Sequence, residues 1–148
     1  MLCSAYDLGM AEKSEGLMIF PDDAKLGMEV WEYLQLNDNV IDVSITPNRG
    51  DCLSIRGIAL ELAALTQTAV TTFKIIEQKP VITDTLSIEI QAIEQCPHYV
   101  GRIVRQVNLN AVTPIWMQER LRRSGIRSIS AIVDITNYVM LEFGQPMV

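Results

Sequence analysis

Short stretches of alternating apolar and polar side chains recur along the chain. Alternation with a period of two is typical of half-buried β-strands. The pattern predicts strands over residues 1–5, 17–20, 40–45, 86–90 and 98–107, with one more near 71–76. In the longest of these, residues 98–107, Tyr99, Gly101, Ile103 and Arg105 share one face.

Four other stretches have helical spacing instead. Residues 29–34 predict a short helix, and a longer one runs to about Thr66 with Asp51 as its N-cap. A third helix is predicted with Thr113 as N-cap, Pro114 at its first position and Gly125 just past its end. A fourth helix, capped by Ser128 or Ser130, extends to about Phe143, and Gly144 ends it. The combined pattern predicts a mixed α+β fold in two or three pieces, with an extended linker over 68–84.

Composition narrows the class of protein. The chain has 148 residues, of which 49% are hydrophobic and 20% charged, which is globular and excludes disorder or collagen for the whole. No apolar run approaches the roughly 18 residues of a membrane span, and the N-terminus has no signal-peptide pattern. The three cysteines are odd in number and far apart in sequence, which argues against a disulfide framework and for a reducing compartment. No two of them have the CxxC spacing of a structural zinc site. The one histidine, His98, favours strand packing over a metal or triad role.

Charge is distributed unevenly. The net charge is −6, yet residues 101–127 carry six arginines against Glu119 alone, a net +5, while residues 1–62 are net −7. A guanidinium binds phosphate or carboxylate through two parallel hydrogen bonds, which an ammonium cannot do. The basic segment is therefore either a phosphate-binding surface or an ordinary solvated helix face.

Three groups of motifs, in this order and spacing, carry a resemblance to a known family. They are residues 1–4 (MLCS) with 7–9 (DLG), residues 43–54 (VSITPNRGDCLS), and residues 125–129 (GIRSI) with 133–142 (VDITNYVMLE) and 144–147 (GQPM). Together they closely resemble the β subunit of bacterial phenylalanyl-tRNA synthetase over essentially the whole chain.

The resemblance implies a fragment of a multidomain protein. Residues 1–36 look like the C-terminal part of a tRNA-binding OB-fold, and residues 37–84 like a helix–strand segment of the N-terminal domain followed by a linker. Residues 85–148 look like the first part of an α/β editing domain. We expect partners to be tRNA(Phe) and the α subunit of an α₂β₂ enzyme, with no membrane or DNA, and a cytoplasmic location. No cofactor or metal is expected in this fragment, whereas ATP and magnesium serve the parent enzyme.

An editing domain of this family hydrolyses tyrosine from mischarged tRNA(Phe). The resemblance implies that Arg127 faces the tRNA end or the aminoacyl ester, and that Thr136 and Asn137 line the pocket. From the residues alone, Thr136 and Asn137 can equally be helix positions that bond to backbone or face solvent.

One position departs from the family pattern. The family has a pocket histidine after the GQPM motif, whereas this chain has Val148. We therefore expect the isolated 148 residues not to deacylate tyrosyl-tRNA. The alternatives to a piece of an editing synthetase are a non-catalytic RNA-binding module and a structural or interaction segment.

Overall fold

The computed structural model describes residues 2–71 and 74–147, and the chain divides into two compact units. One unit ends at Asp42 and the other begins at Val43. The predicted linker over 68–84 does not coincide with this division. Met1, in the first predicted strand, and residues 72 and 73, in the strand near 71–76, lie outside the described residues.

The first unit contains one short helix, α1, Val30–Tyr33. It lies within the helix predicted over residues 29–34, with Glu29 and Leu34 as its caps. Its position is fixed by Tyr33, whose hydroxyl donates to Asp23 Oδ1 at 2.8 Å and whose ring meets Phe20 edge-on at 5.1 Å. Elsewhere in the unit the backbone turns repeatedly, and a hydrogen bond of 3.0 Å from the Met18 N–H to the Cys3 carbonyl connects its first two apolar stretches.

The second unit contains three longer helices. A single 3₁₀ turn, Gly50–Cys52, leads into α2, Ile55–Thr66. Helix α3, Ile115–Arg123, and helix α4, Ala131–Phe143, follow. Helix α4 packs against both α2 and α3, so it is the element around which this unit is organised.

Two predicted N-caps are wrong. Asp51 does not cap α2; Ser54 does, and its hydroxyl accepts from the Gly57 N–H at 3.0 Å. The Asp51 carboxylate instead accepts two hydrogen bonds from the Arg49 guanidinium, so it is not available to the N–H groups of the first turn of α2. Thr113 does not cap α3 either, because the cap is Pro114, whose carbonyl accepts from Met117 and Gln118.

The predicted strands also differ from what is observed. The part of the chain that the structure describes contains helices but no β-strand, so the α+β class is not confirmed. A β-strand is defined by backbone hydrogen bonds to a neighbouring strand. Alternation of apolar and polar residues indicates only that a stretch could form one face of a sheet. Among the described residues these stretches form no such ladder.

Two of the predicted strands nevertheless lie side by side. A β-carbon on Gly101 would sit 3.2 Å from Ile88 Cδ1, and Arg105 forms an ion pair with Asp84. Both pairs fit one antiparallel register. The Arg102 guanidinium also donates to the carbonyl of Gln78 at 2.7 Å. Residues 78–88, most of which lie in the predicted linker, are therefore attached to the arginine-bearing stretch by side chains.

Candidate functional site

The turn between α3 and α4 is set by local sequence. Helix α3 ends at Arg123 with Ser124 as its C-cap, and Gly125 adopts a left-handed conformation with φ of +78°. The Gly125 N–H donates to Arg122 and the Ile126 N–H to Leu121, at 3.0 and 2.9 Å. This is a Schellman arrangement, which satisfies the last carbonyls of a helix. The predicted role of Gly125 is confirmed, and the turn delivers Arg127 directly after it.

Asp134, in the first turn of α4, is the centre of a buried hydrogen-bond group. Its side chain is 0% exposed. One carboxylate oxygen accepts from the hydroxyl of Thr113 and, at 2.5 Å, from that of Ser128, while the other accepts from the Ile129 N–H at 2.9 Å. We call Asp134 with these three donors the Asp134 cluster. It ties the loop before α3 and the loop after it to α4.

The cluster favours the charged form of Asp134. Burial alone would raise the pKa of the carboxyl group. The hydrogen bonds from Ser128, Thr113 and the backbone of Ile129 and Ser130 outweigh that effect, so the pKa of Asp134 is below its ordinary value of 3.8. Asp134 is therefore a fixed negative charge at the N-terminus of α4, where the helix dipole also favours it.

The three predicted pocket residues flank this cluster. Arg127 is exposed, and within residues 2–71 and 74–147 it makes no hydrogen bond or ion pair. Thr136 is half-buried, and its hydroxyl donates to the Val133 carbonyl of its own helix at 2.8 Å. Asn137 is half-buried beside it. All three thus lie on the loop and helix that Asp134 joins, and the backbone bond at Thr136 leaves its oxygen lone pairs available as acceptors.

The other five arginines of the basic segment have partners within the protein. Arg102 and Arg105 bind Gln78 and Asp84, as described above. In α3, Arg122 pairs with Glu119 at 2.7 Å, and Arg123 donates to the Glu119 carbonyl at 3.2 Å.

Arg120 joins α3 to α4. Its guanidinium donates to the Tyr138 hydroxyl at 3.1 Å and lies 5.6 Å from the Trp116 ring centroid, and the Trp116 and Tyr138 rings meet edge-on. The sequence analysis left a phosphate-binding surface and a solvated helix face as alternatives for this segment, and it did not distinguish among the six arginines. Most of its charge is committed to intramolecular contacts, and Arg127 differs from the rest.

The TPNRGDC motif builds a second polar cluster, which the sequence did not predict. The Arg49 guanidinium contacts both oxygens of Asp51, at 3.0 and 2.8 Å, and both oxygens of Glu61, at 3.1 and 2.6 Å. These contacts raise the pKa of Arg49 and lower that of Asp51 to about 2. The Glu61 pKa is lowered by the same guanidinium, and burial raises that of the Cys52 thiol. The arrangement fastens the 3₁₀ turn to α2, and the raised pKa favours the neutral form of the Cys52 thiol.

Glu142, near the end of α4, is another buried group that the sequence analysis did not predict. It is 4% exposed, and its Oε2 atom has no hydrogen-bond partner among the described residues. The apolar stripe of α4 gave no signal for it, because an acidic residue at the end of an amphipathic helix is usually solvated.

The described residues contain no group of three or more His, Cys, Asp or Glu side chains able to hold a metal ion. None of the helices in the described ranges is long and apolar enough to cross a membrane.

Comparison with known proteins bears directly on the predicted resemblance. Residues 95–148 match the B3/4 domain family. Over 147 residues, 99% of this chain, the sequence is 54% identical to the phenylalanine–tRNA ligase beta subunits of Idiomarina loihiensis and Hahella chejuensis, and 52% identical to that of Legionella pneumophila. The resemblance to the phenylalanyl-tRNA synthetase β subunit is confirmed. The chain spans less than a fifth of the length of these relatives, 18 to 19%.

The match to the B3/4 domain contains Arg127, Asp134, Thr136 and Asn137. It lies within the 85–148 segment that was expected to begin an editing domain, while the boundaries at 36 and 84 remain predictions.

Proposed function

We propose that this segment works within a phenylalanine–tRNA ligase β subunit, where its second unit forms part of a site that hydrolyses tyrosyl-tRNA(Phe). Arg127 contacts a phosphate or the ester of the aminoacylated tRNA end, and Thr136 and Asn137 bind the aminoacyl group. The observation that carries the proposal is Arg127 itself. Arg127 is exposed, and among the described residues it has no hydrogen-bond or ion-pair partner, unlike the other arginines of the basic segment. Asp134 links its loop to the helix that carries Thr136 and Asn137, within the stretch that matches the B3/4 domain.

The chemistry explains why such a site is needed. A pocket for phenylalanine cannot strongly reject an analogue that only adds a hydroxyl, so a second site must read that hydroxyl as a positive feature. In the hydrolysis, the oxygen of water bonds to the tyrosyl carbonyl carbon and the ester C–O bond breaks. Tyrosine leaves as its carboxylate, one proton of the water goes to the ribose oxygen, and the other is released to solvent. The hydroxyl of Thr136 and the amide of Asn137 can orient the aminoacyl group or the water for this step.

The wider setting follows from the same proposal. The whole enzyme joins phenylalanine to tRNA(Phe) with ATP and magnesium on an α subunit in an α₂β₂ assembly, in the cytoplasm, and this segment contributes none of the groups that bind the nucleotide. A non-catalytic RNA-binding role is the second candidate, because the exposed Arg127 can bind an RNA phosphate without any hydrolysis.

A chimeric β subunit tests the proposal. The 148 residues replace the aligned stretch of the Idiomarina loihiensis β subunit, and deacylation of tyrosyl-tRNA(Phe) and charging with phenylalanine are both measured. We expect Thr136→Val and Asn137→Ala each to slow deacylation about tenfold or more, the effect of losing one well-placed hydrogen bond. Phenylalanine charging should not change.

A matched control is available in α2. The hydroxyl of Thr66 donates to the Leu62 carbonyl of its own helix at 2.7 Å, much as Thr136 does to Val133. Thr66→Val should leave deacylation at the wild-type rate. Wild-type deacylation in both the Thr136 and Asn137 variants would remove these residues from the site.

The salt dependence of tRNA binding tests the role of Arg127. Each lost phosphate contact lowers the slope of log K against log salt by about one unit. We expect Arg127→Gln to lower the slope by about one, whereas Arg122→Gln, whose charge is already paired with Glu119, should change it little. The measurement is tRNA affinity over a series of KCl concentrations, and equal slopes for the two variants would contradict the assignment.

A further inference from the structure

The Asp134 cluster connects parts of the candidate site as well as stabilising the fold. Two of its three donors, the Ser128 hydroxyl and the Ile129 N–H, are the residues directly after Arg127. The third, the Thr113 hydroxyl, lies before α3. The acceptor is on α4, two and three positions before Thr136 and Asn137. One carboxylate therefore connects the backbone next to Arg127 with the helix that bears the other two candidate residues.

Two sets of hydrogen bonds attach this loop. The Ile126 N–H bonds to the Leu121 carbonyl of α3 at 2.9 Å, and the bonds to Asp134 attach the loop to α4. Between Gly125 and α4, the structure gives Ser128 and Ile129 their hydrogen bonds to Asp134, while the Arg127 side chain makes none in the described part of the chain. Ser130, the N-cap of α4, makes no side-chain capping bond. A guanidinium on a loop explores many positions unless its backbone is fixed, and loss of alignment by about 1 Å is costly to catalysis.

We propose that Asp134 is a positioning residue for the editing reaction, acting through Ser128 and Ile129 to fix Arg127 relative to Thr136 and Asn137. The inference rests on the proposed function. Asp134 touches no substrate, because it is fully buried and both of its oxygens are already engaged. Its effect reaches the substrate only through the position of Arg127.

The two hydroxyl donors of the cluster provide a matched pair of variants. Ser128→Ala and Thr113→Val each remove one hydroxyl from the same carboxylate oxygen, but only Ser128 adjoins Arg127. A purely structural role predicts similar losses of thermal stability and similar activities for both. The positioning role predicts that in the chimeric β subunit Ser128→Ala lowers the kcat of tyrosyl-tRNA(Phe) deacylation about tenfold with little change in KM. Thr113→Val should change kcat less than about twofold, and Ser128→Thr, which keeps a hydroxyl, should restore it.

A double-mutant cycle isolates the route of the effect. In an Arg127→Ala background, Ser128→Ala should cause no further loss of kcat, because the group that it positions is already absent. Equal kcat for Ser128→Ala and Thr113→Val, or an undiminished Ser128→Ala effect without Arg127, would overturn the inference.

The salt dependence of tRNA binding provides a second readout that does not need hydrolysis. Ser128→Ala should lower the slope toward that of Arg127→Gln, and Thr113→Val should not. Absence of deacylation in the unmodified chimera would defeat the proposed editing function, while unchanged slopes in Ser128→Ala would defeat the positioning role separately.

Discussion

Replacing Gly57 by alanine should destabilise the second unit by about 3 kcal/mol or more, the upper end of the cost of overpacking. A β-carbon at this position would lie 1.8 Å from the Asp51 carbonyl oxygen and 2.8 Å from its carbon. Both atoms belong to backbone, which cannot move aside as a flexible side chain can. In an exposed helix the same change stabilises by about 1 kcal/mol, so the sign of the effect is diagnostic.

Urea denaturation of the 148-residue chain measures this effect, with Gly50→Ala as the control. Gly50 begins the 3₁₀ turn next to the same motif, and no atom lies within 4 Å of a β-carbon built on it. We expect Gly50→Ala to change the free energy of unfolding by less than about 1 kcal/mol. A Gly57→Ala variant as stable as the wild type would show that α2 can move away from the 3₁₀ turn at little cost.

The ends of the helices are features of the fold that the sequence could predict. Gly125 and Gly144 indicated helix ends, because a helix end depends on the conformation of a few adjacent residues. The structure has Gly125 and Gly144 at φ of +78° just past α3 and α4. Helices α1, α3 and α4 accordingly lie within a few residues of where they were predicted.

Features that depend on partners distant in sequence were not predicted. Asp51 is a good N-cap by residue type, but Arg49 and Glu61 form a network that engages it, and Ser54 takes the cap. Asp134 resembled any acidic residue in the first turn of a helix. Its importance comes from Thr113, 21 positions earlier, which the sequence pattern assigned to a cap of α3. The alternating stretches indicated where a sheet surface could form and could not identify the strand that would pair with it.

The candidate site also has features that the sequence suggested and features that only the structure shows. Arg127, Thr136 and Asn137 were chosen by resemblance, and their role remains a proposal. Neither composition nor periodicity could separate Arg127 from its five neighbours, because all six arginines carry the same charge. The distinction comes from intramolecular contacts, such as that of Arg120 with Tyr138 and that of Arg122 with Glu119.

Replacing Asp134 by alanine should lower the free energy of unfolding by about 3–5 kcal/mol. The change leaves two hydroxyls and the Ile129 N–H without their acceptor, and each unsatisfied buried donor costs about 1–3 kcal/mol, with partial relief where water can enter. Asp134→Asn keeps one acceptor oxygen and the shape of the side chain, so we expect a loss of about 1–2 kcal/mol. Urea denaturation at neutral pH compares the three proteins.

The dependence of stability on pH distinguishes a charged acceptor from a merely well-packed side chain. The pKa of Asp134 is lower in the folded protein than its ordinary value of 3.8, so the folded state binds its proton less readily than the unfolded state. The stabilisation by Asp134 is therefore fully present above about pH 4 and is lost as the pH falls through the folded pKa. Asp51 and Glu61, whose pKa values are also lowered, contribute in the same direction in every variant. We expect Asp134→Asn to retain that shared dependence and to lose less stability than the wild type between pH 4 and lower pH. Parallel stability curves for the wild type and Asp134→Asn would mean that the hydroxyls of Thr113 and Ser128 do not bind a carboxylate charge.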